Sequence, residues 1–209
     1  MPSPRSIVVV GNGPLRGLHG TRIDTADFVL RMNRCRIGGF EQIVGTQVHA
    51  YATYPRLCMS NWTDSDLALL NPKPPPVWFV RTLEWCRRHA EHADFLSRFP
   101  DVPRTYISAD LWRRFSARQD ADTCLPVDDH ESAPALGHDR FVPSTGFAVL
   151  RMILDAFADS PIGVVGITGE PERGWYWGHN PAISHLHNWR WEAAELRKLA
   201  DSGRIVPLA

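Results

Sequence analysis

Cysteine is scarce in this sequence, and neither sign of charge is in excess. Its 209 residues include 4 cysteines with no Cys-x-x-Cys pair, which disfavours a disulfide framework and a thiolate zinc site. Lys and Arg together number 23, as do Asp and Glu, so the formal net charge at pH 7 is zero. A balanced chain has no general attraction for nucleic acid. We therefore expect no nucleic-acid partner and expect any anion to be bound by a few local groups.

Long apolar runs are also missing. The run nearest the start, from Ile7 to Val10, is four residues long. A membrane span needs roughly 20 consecutive apolar residues, so we expect no span, while a peripheral contact with a membrane is left open. Because unpaired cysteines are typical of a reducing compartment, we expect a cytoplasmic location.

The residues that are present predict a layered fold. Apolar and charged residues make up 44% and 22% of the chain, as in a globular protein, and the length suits a single domain over 1–209. Continuous apolar runs are typical of strands buried on both faces of a parallel sheet. The predicted strands are 7–10, 27–32, 48–53, 77–80, 105–108, 162–167 and 205–206, and the predicted helices are 81–99, 110–117, 145–158 and 188–200. This alternation predicts an α/β, Rossmann-like domain with a mostly parallel, twisted sheet flanked by helices.

Two of the predicted strands end in asparagine. Asn12 lies between Gly11 and Gly13 after the first strand, and Asn33 follows the second. An amide offers donors and an acceptor together, which suits a nucleobase, a ribose or a phosphate, and glycine lets a ligand approach the backbone. The alternative is a tight turn that needs Gly and Asn for its dihedral angles. The next glycine is Gly17, so the spacing of a dinucleotide fingerprint fails.

A second candidate segment is Pro143-Ser144-Thr145-Gly146, which begins a predicted helix. The free N–H groups and positive dipole end of a helix N-terminus bind phosphate, and Ser144 and Thr145 add hydroxyl groups. The alternative is that Ser144 is an ordinary helix cap.

The third candidate segment is rich in histidine and contains His179, His185 and His187. His187 precedes a predicted helix whose first turn holds Glu192, and a carboxylate there either orients the imidazole or faces the helix dipole. An imidazole held in this way can act as a general base. A metal shared by His185 and His187 is an alternative, although no further ligands stand at a suitable spacing.

Taken together, these segments resemble the sialyl motifs of glycosyltransferase family 29, the sialyltransferases. All four motifs of that family are matched in order between residue 7 and about residue 192. The glycine-rich start, Gly11 to Pro14, is also similar to the bacterial sialyltransferases of family 42. The long motif is matched by Val9-Val10-Gly11-Asn12, Ile23-Asp24, Asp27 to Asn33, Gly39-Phe40-Glu41 and Val44-Gly45-Thr46; the short motif by Pro143 to Phe147 and Val165-Gly166; the third by Tyr176-Trp177 and Asn180-Pro181; and the very short motif by His187 and Glu192.

The resemblance implies an inverting, metal-independent enzyme with a GT-A-like variant of the Rossmann fold and no cofactor. Its co-substrate is a CMP-sugar, and it moves sialic acid or Kdo to a hydroxyl of an oligosaccharide or glycolipid acceptor. It implies that His187 removes the acceptor proton. Our own candidates for neutralising the departing phosphate are His179 and, after the fifth predicted strand, Arg113 or Arg114. The residues it implies for binding the donor nucleotide are Asn12, Asn33, Ser144, Thr145, Gly146 and Gly166.

The chain departs from the family pattern in two places. The family links its long and short motifs by a disulfide, and those positions hold Ile7 and Phe157 here, which fits a reducing cytoplasm and indicates a bacterial-type enzyme. The third motif of the family carries a histidine where this chain has Gly174 and Trp175. His179 is the candidate replacement.

Two other functions remain open at this point. A catalytically impaired CMP-binding or carbohydrate-binding module would fit the altered third motif and the tryptophans around it. A metal-dependent transferase of UDP-sugars would need an Asp-x-Asp, and the pairs Asp64/Asp66 and Asp120/Asp122 match that pattern.

Overall fold

The computed structural model describes residues 4–15, 17–33, 35–55, 75–116, 143–169 and 187–208, apart from the side chains of 113, 115 and 116. The two Asp-x-Asp pairs, His179, His185 and the third-motif match lie outside these ranges. Within them no helix is both long enough and apolar enough to cross a membrane.

The described strands form one seven-stranded sheet in which every neighbouring pair is parallel. The order across the sheet is β5-β4-β3-β2-β1-β6-β7. The strands are β1 Ile7–Val10, β2 Phe28–Met32, β3 Ala50–Thr53, β4 Val77–Phe79, β5 Arg104–Tyr106, β6 Ile162–Val165 and β7 Ile205–Pro207. The α/β class and the parallel sheet expected from the sequence are confirmed.

Helices connect most of these strands. They are α1 Gly20–Asp24, α2 Glu41–Val44, α3 Leu83–Cys86, α4 Ala90–Arg98, α5 Ala109–Ser116, α6 Thr145–Ala156 and α7 Trp189–Asp201. The single helix predicted over 81–99 is two helices, because the chain turns at residues 87–89, where the N–H of His89 bonds to the carbonyl of Cys86. The short helices α1 and α2 were not predicted, since five and four residues are too few to display a helical period.

Alternate residues of β1 face opposite sides of the sheet, and both sides are covered. Ile7 and Val9 belong to a core cluster that includes the apolar faces of α6 and α7. Val8 and Val10 pack with Ile23 of α1 on the other side. All four β1 side chains are therefore buried, which explains the unbroken apolar run in the sequence.

Several residues that match the long motif stabilise the fold. The Asp24 carboxylate accepts hydrogen bonds from the backbone N–H groups of Thr46 and Gln47 at 2.7 and 2.8 Å. Arg31, fully buried on β2, donates from Nη2 to the Val44 carbonyl at 2.6 Å and from Nε to the Gln47 carbonyl at 2.9 Å. These contacts fix the loop between α2 and β3 and so set where β3 enters the sheet.

The chain reverses its direction of travel across the sheet at β1. Strands β1 to β5 follow one another outward on one side, and β6 and β7 lie on the other side of β1. In open parallel sheets, ligands bind beyond the carboxyl ends of the strands at such a switch point. The topology therefore predicts a ligand site at the residues that follow β1 and β6.

Candidate functional site

Three glycines meet at the switch point. The N–H of Gly11 bonds to the Val165 carbonyl at 2.7 Å, and the N–H of Gly13 bonds to the Gly166 carbonyl at 2.8 Å. A Cβ placed on Gly11 or Gly13 would lie 2.3 or 2.7 Å from the Gly166 oxygen, and Gly166 itself has a φ of 65°. Any side chain here would force the two loops apart, so the glycines allow the loops after β1 and β6 to pack directly against each other.

Asn12 lies beside these glycines with one polar atom unused. Its Nδ2 donates to the Met32 carbonyl at 3.2 Å, which ties the end of β1 to the end of β2. Its Oδ1 is buried and has no hydrogen-bond partner. Because a buried acceptor is normally paired, this oxygen is suited to accept a bond from a ligand.

Asn33, the next candidate, is held in the left-handed region with a φ of 49°. Its N–H bonds to the Ala52 carbonyl at 2.9 Å, and its own carbonyl accepts from the Tyr51 hydroxyl. Its side-chain oxygen lies 3.5 Å from Thr53 Oγ1. Tyr51 and Thr53, which no sequence motif marks, fix Asn33 at the end of β2.

The N-terminus of α6 lies between the ends of β2 and β6. A Cβ on Gly146 would be 3.5 Å from Met32 Sδ and 3.4 Å from Ile167 Cγ2. Ser144 caps the helix, because its Oγ accepts from the Phe147 N–H at 3.2 Å. Thr145 and Gly146 occupy the first two helical positions, whose N–H groups have no acceptor within a helix. The capping role considered for Ser144 is confirmed, and its nucleotide-binding role stays a prediction.

Glu192 joins α7 to this cap. The Ser144 N–H donates to Oε1 and the Ser144 hydroxyl to Oε2, both at 2.6 Å. The Glu192 side chain is buried, and burial raises its pKa to about 7 against the lowering effect of the two bonds. We expected this carboxylate to orient His187 or to face the helix dipole, whereas both of its oxygens bond to Ser144.

His187 is brought to the same edge by the start of α7. Asn188 caps that helix through a 3.0 Å bond from the Trp191 N–H to its Oδ1. The Trp191 ring packs edge-on against Phe147 of α6 at a centroid distance of 5.0 Å. The half-buried His187 makes a similar edge contact with Trp189. The two helix starts therefore meet, and His187 lies just outside the junction.

The structure also describes Arg114, the two positions expected from the family's disulfide, and the side chains that could bind a metal. Arg114 is exposed and pairs with Asp110 at 3.5 Å and Asp155 at 3.3 Å, so two carboxylates already balance the charge proposed to neutralise phosphate. Phe157 packs against Phe28, and both Ile7 and Phe157 belong to one apolar cluster, so apolar residues occupy the two positions expected from the family's disulfide. No three His, Cys, Asp or Glu side chains cluster as metal ligands within the described ranges.

The chain is similar in sequence to known glycosyltransferases. A sequence profile of glycosyltransferase family 29 (sialyltransferase) matches residues 3–89. The chain is 27% identical over 214 residues to CMP-N-acetylneuraminate-β-galactosamide-α-2,3-sialyltransferase 1 of Homo sapiens, which takes in 96% of this chain and 57% of that protein. It is 49% identical over 186 residues to the Pan troglodytes enzyme of that name, covering 85% and 49%. The chain thus spans about half the length of these relatives.

Solved sialyltransferase structures share the fold. A mammalian sialyltransferase has a TM-score of 0.61 at 20% identity, with 98% of this chain and 68% of that chain covered. Cst-I from Campylobacter jejuni has a TM-score of 0.61 at 16% identity, covering 100% and 77%. Cst-II, in complex with a trisaccharide acceptor and CMP, has a TM-score of 0.53 at 15% identity, covering 97% and 80%.

These comparisons establish a sialyltransferase-like, Rossmann-like fold. The sequence relatives are mammalian, and a mammalian and a bacterial structure are equally similar by TM-score. The predicted bacterial type and the likeness to family 42 are therefore not confirmed.

We expect Gly11→Ala to lower the free energy of unfolding by about 3 kcal/mol, because the added Cβ meets backbone that cannot rotate away. Gly39→Ala is the matched control. Its Cβ would meet nothing within 4 Å, and only a φ of 81° opposes it, at a cost of about 1 kcal/mol. Urea denaturation measures both, and equal losses would contradict the close contact.

We expect ionisation of Glu192 to lower the free energy of unfolding as pH rises. Its pKa of about 7 in the folded protein exceeds the ordinary 4.5, so its contribution is fully present below pH 4.5 and is lost as pH rises through 7. This rise in pKa corresponds to a contribution of about 3 kcal/mol to the free energy of unfolding. Glu192→Gln, which cannot ionise, should remove this slope from denaturation curves between pH 4.5 and 8.

The exposed Glu84, paired with Arg88 at 2.6 Å, supplies the control for that experiment. Glu84→Gln should leave the slope in place. A wild-type stability that rises between pH 4.5 and 8, in a way that Glu192→Gln abolishes, would reverse the assigned sign.

Proposed function

We propose that this chain is a family 29 glycosyltransferase that transfers sialic acid from CMP-sialic acid to a hydroxyl of a glycan acceptor. The observation that carries the proposal is the unpaired Asn12 Oδ1 at the switch point, beside the N-terminus of α6. The acceptor is an oligosaccharide or a glycolipid, and the resemblance in sequence favours the same class of donor as the named relatives.

The donor nucleotide fits the polarity of this edge. Asn12 Oδ1 can accept a hydrogen bond from a ribose hydroxyl or from the amino group of cytosine. Gly11 and Gly166 hold the loops after β1 and β6 together beside this acceptor. The N–H groups of Thr145 and Gly146, at the positive end of the α6 dipole, suit the phosphate.

His187 is the proposed general base. It removes the proton of the acceptor hydroxyl as that oxygen forms a bond to the anomeric carbon, while the bond from that carbon to the phosphate oxygen breaks. CMP leaves with the electron pair, and one displacement inverts the anomeric centre. The contact between α6 and α7 keeps this histidine at the same edge as the phosphate site.

A metal is not part of the proposal. CMP leaves with a single phosphate, which carries less charge than the diphosphate of a UDP-sugar. Preorganised N–H groups and a helix dipole stabilise such a leaving group. The named relatives favour N-acetylneuraminate over Kdo as the sugar, and the cytoplasmic location remains a proposal from cysteine usage.

We expect the chain to bind CMP, and to bind UDP and NAD much more weakly, in calorimetric titrations. Asn12→Ala removes the unpaired acceptor and should weaken CMP binding about tenfold to a hundredfold, since one hydrogen bond to a buried group is worth about 1 to 3 kcal/mol. Gln42→Ala removes an exposed amide on α2 and should leave CMP binding unchanged. Preference for UDP in the presence of a metal would support the Asp-x-Asp alternative.

We expect His187→Ala to retain CMP binding and to reduce sialyl transfer by roughly a hundredfold or more, because a positioned base contributes about 10² to 10⁴ in rate. The assay measures release of CMP from CMP-sialic acid in the presence of an acceptor and EDTA. His49→Ala is the control, since His49 precedes β3 at the opposite edge of the sheet and accepts a bond from the Val29 N–H. Unchanged turnover in His187→Ala would exclude it as the base.

A further inference from the structure

Asn33 is held in a backbone conformation that its residue type adopts at a cost. Among the described residues it is the only one other than glycine with a positive φ. A side chain in this left-handed region crowds the backbone, whereas glycine would adopt the same φ without strain. Such strain persists only where the surroundings hold the residue, and it is concentrated at functional sites. The choice of asparagine over glycine therefore points to a use for its side chain.

Both backbone groups of Asn33 have partners. Its N–H donates to the Ala52 carbonyl at 2.9 Å. Its carbonyl accepts from the Cys35 N–H, also at 2.9 Å, and from the Tyr51 hydroxyl. The first two bonds join backbone groups, so almost any residue type at positions 52 and 35 could form them. The Tyr51 hydroxyl is the one partner of the three that depends on the residue type.

The packing of Tyr51 does not by itself require a hydroxyl. Tyr51 is fully buried on β3 and pairs in register with Arg31 of β2 and Val77 of β4. Its ring lies in an apolar cluster with Phe79 and Phe95. A phenylalanine ring would fill the same space, and burying a hydroxyl costs free energy unless it is hydrogen bonded. The bond to the Asn33 carbonyl therefore accounts for a tyrosine at this position.

Asn33 directly follows a residue that contacts two elements of the proposed nucleotide site. The Met32 carbonyl accepts from Asn12 Nδ2 at 3.2 Å. On the side of α6, a Cβ placed on Gly146 would lie 3.5 Å from Met32 Sδ. A change in the backbone angles of Asn33 would therefore move its amide relative to both elements.

We propose that Tyr51 is a positioning residue for the donor nucleotide, because its hydroxyl holds Asn33 in the left-handed conformation in which the Asn33 amide binds CMP. This inference rests on the proposed function and on the predicted nucleotide-binding role of Asn33. Tyr51 itself is buried and acts through the Asn33 backbone. Without the hydroxyl, Asn33 also populates other conformations, and the apparent Kd rises in proportion to the loss of the competent one.

The first test is calorimetric titration with CMP. Tyr51→Phe removes only the hydroxyl and should raise the Kd about three- to tenfold, the range for one neutral hydrogen bond. Tyr106→Phe is the matched control, because its hydroxyl bonds to His92 Nε2 at 2.9 Å and its ring packs against the same apolar cluster. Tyr106 lies on β5, two strands from Tyr51, and its substitution should leave the Kd unchanged.

A double-mutant cycle separates positioning from general support of the fold. Asn33→Gly lacks the amide and adopts the left-handed conformation without strain, so it has nothing for Tyr51 to position. Adding Tyr51→Phe to Asn33→Gly should therefore leave the Kd of CMP where Asn33→Gly puts it. A general structural role of Tyr51 would instead raise the Kd by the same factor in both backgrounds.

The outcomes distinguish this inference from the proposed function. If the wild-type chain does not bind CMP, the proposed function fails and the inference fails with it. If the wild-type chain binds CMP, then an unchanged Kd in Tyr51→Phe, or an equal rise in both backgrounds, overturns the inference alone.

A measurement on the wild-type chain covers the case in which Tyr51→Phe does not fold. The chain has four tyrosines, and ¹³C at the ζ carbon, which bears the hydroxyl, gives one NMR signal for each. Replacing the other three by phenylalanine in turn identifies the signal of Tyr51. That signal should shift when CMP is added, because the ligand fixes the residue that the hydroxyl binds, and the signal of Tyr106 should not. A Tyr51 signal that stays in place while CMP binds would overturn the inference.

Discussion

The bidentate contact between Glu192 and Ser144 holds the candidate site together. It connects residues 48 positions apart and brings the start of α7 against the start of α6. The contact uses the Ser144 N–H and both functions of its hydroxyl, which donates to Glu192 and accepts from Phe147. The groups left for a ligand at this helix start are therefore the N–H groups of Thr145 and Gly146, so Ser144 acts on the site by position.

The same contact makes the site sensitive to the state of one buried proton. With a pKa of about 7, the Glu192 carboxyl is divided between its charged and neutral forms at neutral pH. The charged form only accepts hydrogen bonds, whereas the neutral form also donates one and must share a proton with the Ser144 hydroxyl. Whichever form is present, the Ser144 N–H keeps Oε1 as its acceptor.

The sequence predicts the sheet well and the assembly of the site only in part. Runs such as Ile7–Val10 identify the strands because burial on both faces leaves no room for polar residues. The ends of those strands locate Asn12 and Asn33, since parallel strands share a carboxyl edge. No local pattern says which helix starts will meet, so the pairing of Glu192 with Ser144 was not foreseen. The sequence does not predict that Arg81 is buried beside Trp85 and Trp112, because an arginine after a strand is usually solvated.

A chain of zero net charge attracts an anionic substrate only through groups placed where the substrate binds. Two such groups lie at this edge of the sheet, and they differ in kind. The N-terminus of α6 offers partial charge through N–H groups, while Arg81 offers a full charge among aromatic rings that exclude water and weaken its screening.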